Sequence, residues 1–221
     1  MIDSLIIQNT VNTLVSPTIL TGFKPSVIQY LADASDWDGI GLPFGSTYLT
    51  NAIPSERPTL TDGRLPFTTN YSINSLDARL ASIGQSGSLE AAIVYRPTTL
   101  ATGYIFSWGT SLTDSDNILG LLDLSNGELR WSSDGNTGLN ADSTQTSGLN
   151  MQVGSDYLIT TTMIDWSVTL KVDGVTQFEN QLIPIEDRPV GLSQFALGCR
   201  FGFTDSSFCK GDVTSLEIIA L

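Results

Sequence analysis

The sequence predicts an all-β chain folded as an antiparallel β-sandwich, and three observations carry that prediction. Apolar and polar residues alternate over short runs: Trp166, Val168, Leu170 and Val172 fall on one side of a strand, and Ser167, Thr169 and Lys171 on the other. That is the pattern of a strand with one buried and one wet face. Two such runs close on Asp173-Gly174 and Asn126-Gly127, and a type I′ hairpin turn favours these pairs because both its central residues need positive φ. No sustained 3.6-residue apolar period appears anywhere in the 221 residues, which argues against a helical core.

Residues 1–30 form a separate N-terminal segment in this reading, either strands (2–7 and 25–31) or an attachment arm, ahead of one sandwich domain over 31–221. From Asp33 to about Asn70 turn formers and aromatic residues recur, which indicates an ordered excursion over one face. Residues 72–83 are the one helical candidate. Leu89, Ala91, Ile93 and Tyr95 then alternate up to Arg96-Pro97, and residues 104–109 give the next strand. A two-residue loop at Asn126-Gly127 sets Leu124 against Leu129, Leu122 against Trp131, and Asp123 against Arg130 as a cross-strand ion pair. It also makes Trp131 a core residue, like the strand residues Trp108 and Trp166. Residues 132–155, rich in Asp, Asn, Gly, Ser and Thr, are expected to be a long surface loop. The last pairing expected is 195–203 with 208–216. Cys199 then faces a position near 212 rather than Cys209, so two separate thiols are favoured over a disulfide. Many short strands with a turn about every ten residues describe a sandwich or jelly roll.

Five segments in order carry a family resemblance: DAS within 32–36, P…GR…F over 58–67, IFSWG at 105–109, L-x-VDG at 170–174, and the closing LG…GDVxSLEI element over 197–218. With them, residues 30–221 resemble the concanavalin A-like lectin/glucanase superfamily, in particular its LamG-like jelly-roll branch. The resemblance implies a jelly roll. It also implies a module similar to those of tailed-phage virion proteins, which decorate particles or touch host surface glycans. On that implication the partners are a bacterial surface glycan or neighbouring virion subunits, the chain is a homo-oligomer, and its place is the virion. Fold alone does not give function.

Composition narrows the chemistry. The net charge is −13, with three lysines and seven arginines, too few cations to set against phosphates, so no nucleic acid is expected. No apolar run reaches a membrane span, and the N-terminus has no basic signal region. Synthesis in the host cytoplasm without a signal peptide, and no membrane insertion, are therefore the expectations. There is no histidine, which removes the commonest general base and the Ser-His-Asp triad. Retaining glucanases of the superfamily need paired carboxylates about 5 Å apart, yet none of the six glutamates has an acidic residue two positions away. The chain is expected not to be an enzyme.

Ligand chemistry is sought elsewhere. Calcium takes clustered hard oxygens, and Asp114, Asp116 and Asn117 are the candidate ligands, although such residues also simply form turns. A glycan site needs an exposed ring flanked by hydrogen-bonding groups. Trp37 between Asp36 and Asp38 fits best, with Tyr48 next, then Tyr71, and with Asp134 and Asn136 from the polar loop 132–150. Loop anchoring is the competing role for Trp37.

Overall fold

A computed structural model describes residues 26–31, 61–67, 73–75, 78–110, 117–135, 143–199 and 208–221. Two antiparallel sheets face each other. The seven-stranded sheet holds β1 (Ser26–Leu31), β2 (Leu65–Phe67), β4 (Leu89–Pro97), β9 (Tyr157–Ile164), β10 (Ser167–Val172), β11 (Val175–Leu182) and β13 (Gly211–Ala220). Its order is β1-β13-β4-β9-β10-β11, with β2 also paired to β13. The six-stranded sheet runs β3 (Ile73–Ser75), β12 (Gln194–Leu197), β5 (Gly103–Gly109), β6 (Ile118–Asp123), β7 (Leu129–Asp134) and β8 (Ser143–Thr146).

Alternation does what the sequence anticipates along β4, where Leu89, Ala91, Ile93 and Tyr95 are buried and the residues between them half-buried. Between the sheets lies one apolar cluster around Trp108, Trp131, Phe106, Phe195 and Phe67. Trp108 meets Phe195 edge-on at 5.1 Å and Phe106 at 5.5 Å, a geometry aromatic quadrupoles prefer. Trp166 is only half-buried against this core, with the Arg188 guanidinium 5.6 Å from its ring centroid.

The Asp173-Gly174 turn has positive φ at both residues, 50° and 78°, as a type I′ turn demands. Asp173 also ties the turn to β9: its N–H donates to Leu158 O at 2.8 Å, and its Oδ1 accepts from Leu158 N–H at 2.9 Å.

The second hairpin differs by one residue from its sequence-based register. Gly127 alone of the Asn-Gly pair has positive φ, 81°. Gly127 N–H donates to Leu124 O, and Leu124 pairs with Glu128. This is a three-residue loop ending in a left-handed glycine, the other common hairpin solution. Leu121 therefore opposes Trp131, Leu122 opposes Arg130 and Asp123 opposes Leu129. Trp131 stays in the core, 1% exposed, while the Asp123–Arg130 ion pair does not form. Asp123 turns inward instead.

Three further expectations are corrected. The helix is Ala78–Ser86 (α1), and residues 73–75 ahead of it join the sheet as β3. Residues 132–155 are not one surface loop: β7 continues to Asp134, β8 pairs with it, and Met151 is fully buried. The polar composition hides this because Ser132 and Ser133 are themselves buried, Ser133 Oγ donating to Asp187 O at 2.7 Å. Finally, the segments around 195 and 213 do not pair as a hairpin. β12 belongs to the six-stranded sheet and β13 to the other; between the residues flanking them, Cys199 and Phe208 form an isolated bridge. Both cysteines are buried, and no disulfide joins them. The strand expected over 25–31 is present as β1, which runs across the 30/31 boundary and pairs with β13.

Candidate functional site

The outer face of the seven-stranded sheet carries a charged cleft at one end, and hairpin chemistry builds it. Asp62 and Gly63 have φ of 50° and 71°, and Thr61 and Arg64 exchange two backbone hydrogen bonds of 2.9 and 3.0 Å. This tight turn launches β2, whose Leu65 and Phe67 enter the core with no exposed surface while Arg64 and Pro66 alternate outward. On β4 the buried Tyr95 leaves Arg96 facing out. On β13 Val213 points in and Asp212 out. A register shift between Val213 and Ser215 makes Thr214 a bulge residue, and bulges re-aim side chains. Its Oγ1 accepts from Arg64 Nη1 at 3.0 Å.

Thr61, Asp62, Arg64, Pro66, Arg96 and Asp212 line a cleft of about 270 Å³. At its rim Asp156, just ahead of β9, receives both guanidiniums. Arg64 donates through Nη1 and Nη2 at 2.7 and 3.0 Å, and Arg96 through Nε and Nη2 at 3.2 and 2.8 Å. Two forked contacts on one carboxylate fix both arginine planes. Gly154 N–H, donating to Pro97 O at 2.8 Å, anchors the loop that delivers Asp156.

Burial disfavours the charge on Asp156, but hydrogen bonds from Arg64 and Arg96 outweigh it and hold the carboxyl below its usual range. Burial pushes Asp212 the other way, up, against the pull of the two arginines and with help from the Asp156 charge. Hydrogen bonding to Asp156 raises Arg64. The cleft thus sets fixed N–H donors beside carboxylate acceptors. A sugar hydroxyl, donor and acceptor at once, is matched by that pairing. Asp156, with four N–H contacts on its two oxygens, is poorly placed to attack or to move a proton.

Most residues singled out from sequence lie outside the described residues: Asp36, Trp37, Asp38, Tyr48, Tyr71, Asp114, Asp116 and Asn136. The two that are described come together. Ile118 pairs with Asp134, so Asn117 and Asp134 sit at the same end of the β6–β7 ladder. Asn117 has φ of 60°, is 3% exposed, and accepts from Val190 N–H through Oδ1 at 3.2 Å, the work of a backbone strut. This end of β6 is opposite Asp123 and hence distant from the arginine cleft. Among the described residues no group of three or more His, Cys, Asp or Glu is gathered for a metal.

Arg64, Arg96, Asp156 and Asp212 were not anticipated. The available signal was alternation: Arg64 follows an Asp-Gly turn and flanks Leu65, and Arg96 flanks Tyr95, so both were fixed outward.

No protein-family profile matches the chain, and no curated protein sequence matches it. Solved structures do. The carbohydrate-binding module CBM40 of a Ruminococcus gnavus IT-sialidase, bound to α2,3-sialyllactose, aligns with a TM-score of 0.54 at 15% identity, over 64% of this chain and 80% of that one. A Trypanosoma rangeli sialidase aligns with a TM-score of 0.64 at 15% identity, over 96% of this chain but 34% of the enzyme. The NanB sialidase from Streptococcus pneumoniae gives 0.53 at 13% identity, over 70% of this chain and 26% of that one. The fold is an antiparallel jelly-roll β-sandwich. At such identities the likeness speaks for the fold alone, and this chain spans only about a third or less of the two whole sialidases.

Proposed function

We propose that this chain is a non-enzymatic carbohydrate-binding module whose glycan seats in the cleft between Arg64 and Arg96. The observation that carries the proposal is the pair of guanidiniums held rigid by Asp156 beside Asp212 on the outer sheet face. Preorganised polar groups of this kind select hydroxyl patterns at low ordering cost. The CBM40 structure named above, with its sialyllactose, supports a glycan as the ligand class. The net charge of −13 works against distant attraction of anions. Neutral and acidic glycans therefore both belong in the panel.

The test is a glycan array followed by calorimetry on the hits, with Arg96→Ala and Arg64→Ala. Each should weaken binding by about 1.5–3 kcal/mol, the worth of a hydrogen bond to a charged group. Asp36, Trp37, Asp38 and Tyr48, the candidates read from sequence, are the competing site. If Trp37→Ala abolishes binding while both arginine variants bind normally, the ligand seats there instead.

Two finer proposals rest on sequence alone. The motif resemblance supports a place on a virion surface, as a homo-oligomer touching a bacterial glycan or neighbouring subunits; electron microscopy of particles labelled by an antibody to this chain checks it. The clustered oxygens of Asp114, Asp116 and Asn117 in the sequence support a calcium ion, checked by calorimetric titration of calcium into metal-free protein.

A further inference from the structure

Asp123, the last residue of β6, is 1% exposed and lies between the sheets. Its Oδ2 accepts from the Tyr95 hydroxyl at 2.5 Å, and Tyr95 belongs to β4 in the opposite sheet and has no exposed surface. The bond therefore spans the sandwich from one sheet to the other. Gly211 gives the ring its room: a Cβ there would sit 2.3 Å from Tyr95 Cε2. The other carboxyl oxygen, Oδ1, makes no hydrogen bond. The titratable groups around the pair are the buried thiols Cys209 and Cys199, with Lys210 entering β13 acting on Cys209. From β5 and β7 the residues opposite Asp123 are Gly103 and Leu129, which carry no charge. A carboxylate withdrawn from water with no paired cation is better neutral than charged, even with a phenol and nearby amides as donors.

We propose that the Tyr95–Asp123 contact is a proton-linked clasp between the two sheets: the native sandwich is most stable while Asp123 is neutral, and ionising it leaves a buried charge that the Tyr95 hydrogen bond offsets only in part. Burial drives the Asp123 carboxyl up to about 7, against the Tyr95 hydrogen bond and the nearby backbone amides of Gly103 and Asp123 itself. Burial likewise pushes Tyr95 and Cys209 upward, so both stay neutral through this range. The sign follows from linkage. Between the unfolded carboxylate value near 4 and the folded value near 7, the native state holds a proton that the unfolded chain has lost. Stability should fall as pH rises across that window and level off above it. The chain contains no histidine, the usual source of a transition near neutrality.

Urea unfolding of the full chain between pH 4.5 and 9 tests the clasp. The native protein should show a midpoint that declines up to about pH 7 and is flat beyond. Asp123→Asn should remove most of the decline. Tyr95→Phe, which takes away the donor that favours the ionised form, should move the levelling point to higher pH. A flat native profile, or a decline that survives in Asp123→Asn, overturns the proposal. Should Asp123→Asn not fold, the carboxyl carbon of Asp123 can be titrated by NMR in the unaltered protein. A midpoint near 7 sustains the clasp, and one near 4 refutes it.

Discussion

Gly174→Val isolates the conformational requirement of one turn from every other contribution to stability. Gly174 has φ of 78°, and a Cβ built on it meets no atom within 4 Å. The replacement therefore creates no clash and removes no contact. What it adds is a β-branched residue in the left-handed region, worth on the order of 1–3 kcal/mol. For a domain of this size that is roughly 3–8 °C in Tm. Gly148→Val is the matched control: it too meets open space, but without a positive φ, so its change should stay within about 0.5 kcal/mol. Urea denaturation followed by fluorescence reads both. An unchanged m with a lowered midpoint in Gly174→Val alone is the expected result. Equal midpoints for the two variants would show that the turn does not need positive φ, and the β10–β11 register would be wrong.

Gly198→Val should be worse, beyond about 4 kcal/mol or unfolded, because its φ is 87° and its Cβ would lie 2.2 Å from Phe67 Cδ1; circular dichroism of the expressed variant checks it. Trp108→Ala opens a cavity among Phe106 and Phe195 and should cost about 3–5 kcal/mol by denaturant melt. Asp156, held below its usual range by Arg64 and Arg96, gives stability that is present above the ordinary carboxylate range and lost as pH falls through the lowered value. Asp156→Asn should therefore flatten the acid limb of a stability profile while leaving the limb near pH 7 alone. Purified protein should release no reducing ends or unsaturated products from β-glucan or alginate; persistent release in highly purified material would make it an enzyme.

The sandwich was legible because its signals are local. Alternation at Leu89, Ala91, Ile93 and Tyr95, and the Asp173-Gly174 turn, specify a buried face and a hairpin within about ten residues. The Asn126-Gly127 register was not, since one Asn-Gly pair serves both two- and three-residue loops, and only the choice of which residue takes positive φ separates them. That single step moved Asp123 from a surface ion pair into the core. Segments 195–203 and 208–216 looked like a hairpin because they are neighbours in sequence. Their division between sheets is a long-range decision set by β4 and β5, which no local pattern encodes. The cleft escaped for the same reason. Arg64, Arg96, Asp156 and Asp212 are 148 positions apart from first to last, and only the pairing of β2 and β4 with β13, and of β4 with β9, brings them together. Trp37 and its neighbours drew attention because their motif is contiguous.

The central claim, a glycan seated between Arg64 and Arg96, is tested most directly by mapping where a bound glycan touches the protein. An amide-resolved NMR titration with the strongest array ligand should shift resonances of residues 61–67, 96–97, 155–157 and 212–214, and those shifts should vanish in Arg96→Ala. Shifts confined to other surfaces, with this cleft silent at saturation, would contradict it.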